Sequence, residues 1–344
     1  ARAIAVSFDQ LPHAHRLGHL LDERPYLIAD GATGTNLFAR GLETGDAPEL
    51  WNTDHPDRIR DHHRCMVEAG ADIILTNSFG GTRHRMKLHK SQHRVPELNR
   101  NAAALAREIA DAAGRPVLVA GSMGPTGEIM QPVGDLEPAD AVDAFREQAL
   151  ALAEGGADML WIETMSSSEE AEAAIEGGQA SGLPIVCTMT FDTNGRTMMG
   201  LTPEAAAHFY DGCQPPLAAC GANCGNGLGE LIAAVAGIAA AAGPERVLVA
   251  KGNCGVPEYV EGQIRYTGTP ELMKTYARLA RDAGARIIGG CCGSTPEHIA
   301  ALVEALADHT PGPCPDLPAI EAALGLQRVA PKPGGPRKRN SRRG

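Results

Sequence analysis

Aromatic side chains are scarce in this 344-residue sequence, at 4% with only two tryptophans, so an aromatic residue in a polar loop is informative. Long apolar runs are missing too. The longest, residues 231–242, is a dozen residues of mostly alanine, too short to cross a bilayer and suited to a packed helix. The first 25 residues contain Asp9, His13, His15 and Asp22 and no apolar core of the secretory type, so the chain is expected to be cytoplasmic. Basic residues are outnumbered, 31 to 42, for a formal charge of −11. Seven of them fall in residues 325–344, which hold no acid, so the remainder carries −11 − 7 = −18. An acidic body of that kind excludes nucleic acid as the main partner. The tail PKPGGPRKRNSRRG, from Pro331 to Gly344, has nothing to bury and is expected to be disordered.

The composition that remains, 43% apolar and 21% charged, is that of a globular protein with a large core. Short aliphatic runs recur at 26–29, 73–76, 117–120, 159–162, 185–189, 217–221, 247–250 and 287–288. Helical patterns flank most of them, at 56–69, 95–113, 138–154, 168–180, 203–209, 229–241, 270–283 and 296–306. Helices between strands force parallel pairing, and eight such repeats can close a sheet into a (β/α)8 TIM barrel. The expected layout is one barrel over 24–310, with extensions at 1–23 and 311–344. The competing fold, an open doubly wound sheet for nucleotides, lacks its GxGxxG turn, since the first strand runs into DGATGT.

Barrel chemistry collects just beyond the carboxyl ends of the strands. Those positions deliver, in order, Asp30; Thr76, Asn77 and Ser78; Gly124 and Pro125; Glu163 and Thr164; Thr190 and Asp192; Cys224; Asn253; and the pair Cys291 and Cys292. Cys224, Cys291 and Cys292 therefore meet on one rim. Three thiolates there suit zinc and leave its fourth tetrahedral position open, the mark of a catalytic rather than a structural ion. Adjacent cysteines can share one ion only if the chain turns between them, and Gly289, Gly290 and Gly293 allow that turn. The nine cysteines are an odd number, and the other six read as packing or surface residues. An anionic zinc–thiolate centre activates water poorly but can keep a fourth sulfur deprotonated and electron-rich, ready to attack carbon.

The runs DGATGTNL, EAGADIILTNSF, GPTG, ETM, GANCG and GGCCGSTPEHI, spread over about residues 24–308, resemble the homocysteine S-methyltransferases. That family includes betaine–homocysteine methyltransferase and the homocysteine module of cobalamin-dependent methionine synthase. The resemblance implies a barrel whose zinc is held by Cys224, Cys291 and Cys292, with the sulfur of homocysteine as fourth ligand and methionine as product. It also implies that Asp30 and Glu163 hold the amino group of the substrate. The loops that begin with Thr76 and Asn77, and those after the third strand, could bind its carboxylate through backbone amides.

Methyl donors divide the family. Trp51 in PELWN matches a tryptophan that cages the quaternary ammonium of betaine, and Phe79 falls where the betaine enzymes also have an aromatic residue. Two tyrosines of the animal enzymes are replaced here by Gly80 and Thr164. The expected donor is glycine betaine or another small onium compound. The alternative is a methyl group from a separate corrinoid protein, which the GPTG and DTNGRTMMG runs favour because they resemble methionine synthase. Two further classes stay open: a thiolate sensor, which would need no acidic pocket, and a phosphate-binding barrel enzyme, which would need a glycine-rich anion site after strands seven and eight.

Overall fold

The computed structural model describes residues 7–261 and 263–326, so the basic tail from Pro331 onward lies outside the described residues. Eight parallel strands form the sheet: β1 (Leu27–Ile28), β2 (Ile73–Leu75), β3 (Leu118–Met123), β4 (Met159–Met165), β5 (Ile185–Met189), β6 (Ala219–Cys224), β7 (Leu248–Gly252) and β10 (Ala285–Gly290). Their order runs β1-β10-β7-β6-β5-β4-β3-β2, and a parallel bridge between Ala29 and Ile73 closes the ring. This is the expected (β/α)8 barrel. Between β7 and β10 the chain inserts an antiparallel hairpin, β8 (Pro257–Val260) and β9 (Gln263–Tyr266), which no expectation covered.

Alternation along each strand makes two cores. Leu27, Ile73, Leu75, Leu118, Met159, Trp161, Val249 and Ile287 point into the barrel, while Ile28, Ile74, Val119, Leu160, Ile162 and Ile288 pack against the surrounding helices. Thr-Pro pairs begin two of those helices, Pro203–Gly212 and Pro270–Asp282. The Thr202 and Thr269 hydroxyls accept the free N–H groups of the first turn, and proline sits where no N–H is needed.

The segment expected as an N-terminal extension contributes a helix, His13–Glu23, whose Leu17, Leu20 and Leu21 join the interior core. These leucines recur at helical spacing on one face, so the helix closes the amino-terminal end of the barrel. Asp158, fully buried just before β4, anchors it. Its carboxylate accepts the Val119 N–H at 2.8 Å and meets His13 at 2.6 Å, Arg107 at 2.8 Å and Arg16 at 3.4 Å. Asp72, before β2, is held similarly by Ile28 N–H, Arg24 and Arg115. At the other end of the chain, Ile320 of the helix Leu317–Leu324 is buried against the main core.

Candidate functional site

At the carboxyl end of the barrel the Sγ atoms of Cys224, Cys291 and Cys292 lie within 4.8 Å of one another. Backbone geometry brings them together. Cys224, the last residue of β6, adopts a left-handed φ of 62°, which costs a non-glycine residue energy and turns its side chain off the strand. After β10 the chain bends at once: Ser294 N–H donates to Cys291 O at 3.1 Å, and Gly293 takes the left-handed φ of 78° that the turn needs. Cys292 N–H is fixed by Asn253 Oδ1 at 3.0 Å. Adjacent cysteines that would face apart on a strand therefore face one point.

The sulfurs interact electrostatically. Hydrogen bonds from Cys224 and Cys291 pull the Cys292 thiol down to about 3, while the same bonds push Cys224 up. Crowding thus favours one thiolate held by two thiols, and three thiolates together would repel one another unless a bound cation offset their charge. Tetrahedral zinc with bonds of about 2.3 Å needs sulfurs roughly 3.8 Å apart, compatible with the observed spacing. The residues fit that ion.

Behind the sulfurs lies a cavity of about 530 Å³, which Cys224, Cys291 and Cys292 line together with Glu163, Lys251, Ser122, Thr76, Asn77, Phe79, Glu49 and Arg85, among others. Glu163, on β4, accepts the Ser122 hydroxyl at 2.6 Å. Burial pushes its carboxyl up to about 7, with Lys251 opposing and the Cys291 charge reinforcing the shift. Asp30 does not reach the cavity wall. It is completely buried, accepts Leu75 N–H at 2.8 Å, and lies 3.2 Å from the Lys251 ammonium.

Thr76 and Asn77 line the cavity, but their side chains are engaged within the protein. The Thr76 hydroxyl shares a 2.6 Å hydrogen bond with Ser78, and Asn77 donates to Pro48 O and Asn52 Oδ1. Phe79 lines the cavity. Trp51 is not among the residues that line it. Its ring is 6% exposed within an apolar cluster of Leu37, Leu42, Ile59 and Leu105, and the guanidinium of Arg58 sits 4.8 Å from its centre. The cation this tryptophan faces is the protein's own.

Gly80 also has a local explanation. Its N–H donates to the buried Glu49 carboxylate at 2.6 Å, and a Cβ there would come within 2.9 Å of Glu49 Oε1. Three residues of the site escaped sequence reasoning. Lys251 lies within β7, one residue beyond Ala250, where the sequence pattern reads as finishing. Asn223 accepts Thr188 Oγ1 and Thr164 N–H, donates to Thr164 Oγ1, and reaches Cys291 Sγ at 3.9 Å, so it braces the left-handed Thr164 and the sulfur at once. Tyr266, from the unexpected hairpin, lies close enough to Cys292 for the two to shift each other's titration.

A closed parallel barrel with three cysteines able to hold a metal ion at the carboxyl ends of its strands, beside a small-molecule cavity, has the site layout of barrel enzymes. Residues 27–306 match the homocysteine S-methyltransferase family, and the chain belongs to it. It is 31% identical over 301 residues to methionine synthase of Mycobacterium tuberculosis, covering 82% of this chain, and 30% identical over 308 residues to that of Mycobacterium leprae. The chain spans about a quarter of the length of these curated relatives, 25% in each case. Among solved structures it resembles the homocysteine methyltransferase MmuM of Escherichia coli in its metallated form, with 28% identity and a TM-score of 0.69, covering 83% of this chain and 98% of that one.

Proposed function

We propose that this protein is a zinc-dependent homocysteine S-methyltransferase that forms methionine, with a small onium compound, glycine betaine first, as methyl donor. The observation that carries the reading is the convergence of Cys224, Cys291 and Cys292 within 4.8 Å on the wall of a cavity that also exposes the buried Glu163. Zinc held by the three cysteines supplies an open position at which a thiol is deprotonated at neutral pH yet stays electron-rich. Glu163 is the anion available to the substrate's ammonium. In the transfer the donor's C–N⁺ bond breaks as a C–S bond forms. The amine leaves neutral with the bonding pair, and the thiol proton goes to solvent.

Support for a small onium donor comes from the far end of the cavity, lined by Phe38, Phe79, the buried Glu49 and Arg85. An aromatic face and a carboxylate suit the cationic head of betaine. Arg85, whose charge acts on Glu49, suits betaine's carboxylate. The corrinoid reading draws its support from the similarity to methionine synthase. Methionine formation from homocysteine by the zinc-loaded protein, with betaine, sulfonium betaines, S-methylmethionine and methylcobalamin supplied separately, tests both. Turnover with betaine is expected, and turnover with methylcobalamin alone would overturn the onium donor.

A further inference from the structure

Lys251 is the residue whose position the proposed function leaves unexplained. Its side chain is buried, at 2% exposure, on β7 in the wall of the substrate cavity. Burial works against its charge, but Asp30, Glu163 and Cys291 outweigh that and hold it protonated. An ammonium has three N–H donors. Among the described residues its ion pair is with Asp30 Oδ1 at 3.2 Å, which engages at most one of those donors. A buried cation with donors to spare, facing a cavity, is an incomplete arrangement that an anionic ligand would complete.

The amino-acid substrate is a zwitterion whose two charged groups are attached to one carbon, and neighbouring side chains of opposite sign match it. Glu163 and Lys251 are such a pair. Both line the cavity, they interact electrostatically, and each also senses Cys291. The other cation on the wall, Arg85, sits with Glu49 at the far end of the cavity. Resting on the homocysteine reading, the geometry points to Lys251 as the residue that binds the α-carboxylate of the amino-acid substrate while Glu163 binds its ammonium. Asp30 then acts indirectly: fixed by Leu75 N–H, it keeps Lys251 charged and aimed, and it does not touch the substrate.

Homocysteine and two analogues, 3-aminopropane-1-thiol without the carboxylate and 4-sulfanylbutanoate without the amine, separate the contacts when titrated calorimetrically into protein of measured zinc content. Lys251→Met is expected to weaken homocysteine and 4-sulfanylbutanoate by roughly 30-fold and to leave 3-aminopropane-1-thiol within about threefold of the parent. Glu163→Gln should show the reverse preference, and Lys251→Arg should recover part of the homocysteine affinity. Because Lys251→Met leaves Asp30 buried without a counter-charge, the double variant Asp30→Asn/Lys251→Met repeats the test in a neutral pocket. Equal weakening of all three thiols in both variants would overturn the assignment, as would undiminished homocysteine binding, which would leave the carboxylate to the backbone amides after β2 and β3. Failure of the parent protein itself to bind homocysteine would instead overturn the functional reading, and this inference with it.

Discussion

The two ends of the barrel both bury carboxylates, and they treat them differently. At the amino-terminal end Asp158 is surrounded by His13, Arg16, Arg107 and a backbone N–H, so its lone pairs are used up within the protein. At the carboxyl end Asp30 has one backbone N–H and one lysine, Glu163 has one hydroxyl, and the lysine has donors left over. The saturated set holds the closing helix in place. The unsaturated set stores unmet charge beside three sulfurs, and unmet buried charge persists only where a ligand completes it. The same residue type thus does structural work at one end and chemical work at the other, and its partners tell which.

That contrast can be broken most severely from below. Replacing Asp158 by alanine leaves Arg16 without its acid, Arg107 with Asp111 alone and Val119 N–H unpaired, and should cost about 3–5 kcal/mol of stability, read by urea unfolding, with homocysteine affinity of the remaining folded protein unchanged. An equal loss of ligand affinity would show that the two ends are coupled.

His62 and His63 sharpen the rule by testing its limit. Both are buried in the helix Pro56–Glu68 and, among the described residues, no ring nitrogen of either has a hydrogen-bond partner, yet neither lines the cavity. Burial pushes His63 down to about 4 and His62 well below its usual value, so both are neutral in the fold and protonate on unfolding. Their contribution is full above pH 6.5 and is lost as the pH falls from there towards 4, with His63 alone worth about 3 kcal/mol. Unfolding curves across that window should show the decline, and His63→Phe should flatten it.

Smaller effects belong to the mouth. Glu163→Ala should weaken homocysteine by about 2–3 kcal/mol in titrations while leaving zinc in place, and stability should not fall, since burial already opposes the charge of this group. Phe79→Ala should raise the apparent KM for an onium donor by the equivalent of about 1 kcal/mol, with homocysteine affinity unchanged. A loss confined to homocysteine would remove Phe79 from the donor side.

Much of this was legible in the sequence because barrel strands and their exits follow a regular order. The eight runs and the glycines around Cys291 and Cys292 sufficed to predict the closed sheet and the meeting of three cysteines. What escaped depends on partners remote in the chain. Lys251 reads as a polar residue leaving a strand until Asp30, more than two hundred positions away, is seen beside it. Trp51 looked available to a ligand because its loop is polar, but Arg58, one helical approach later, covers its face. The leucines of His13–Glu23 were visible as a pattern, whereas the open barrel end they close exists only in three dimensions.

The central claim is that the three cysteines form one metal centre. Elemental analysis of the purified protein and of Cys224→Ala, Cys291→Ala and Cys292→Ala tests it directly. One zinc per chain in the parent and a loss of zinc from each folded variant is the predicted result. Stoichiometric zinc retained by two of the three variants would contradict it.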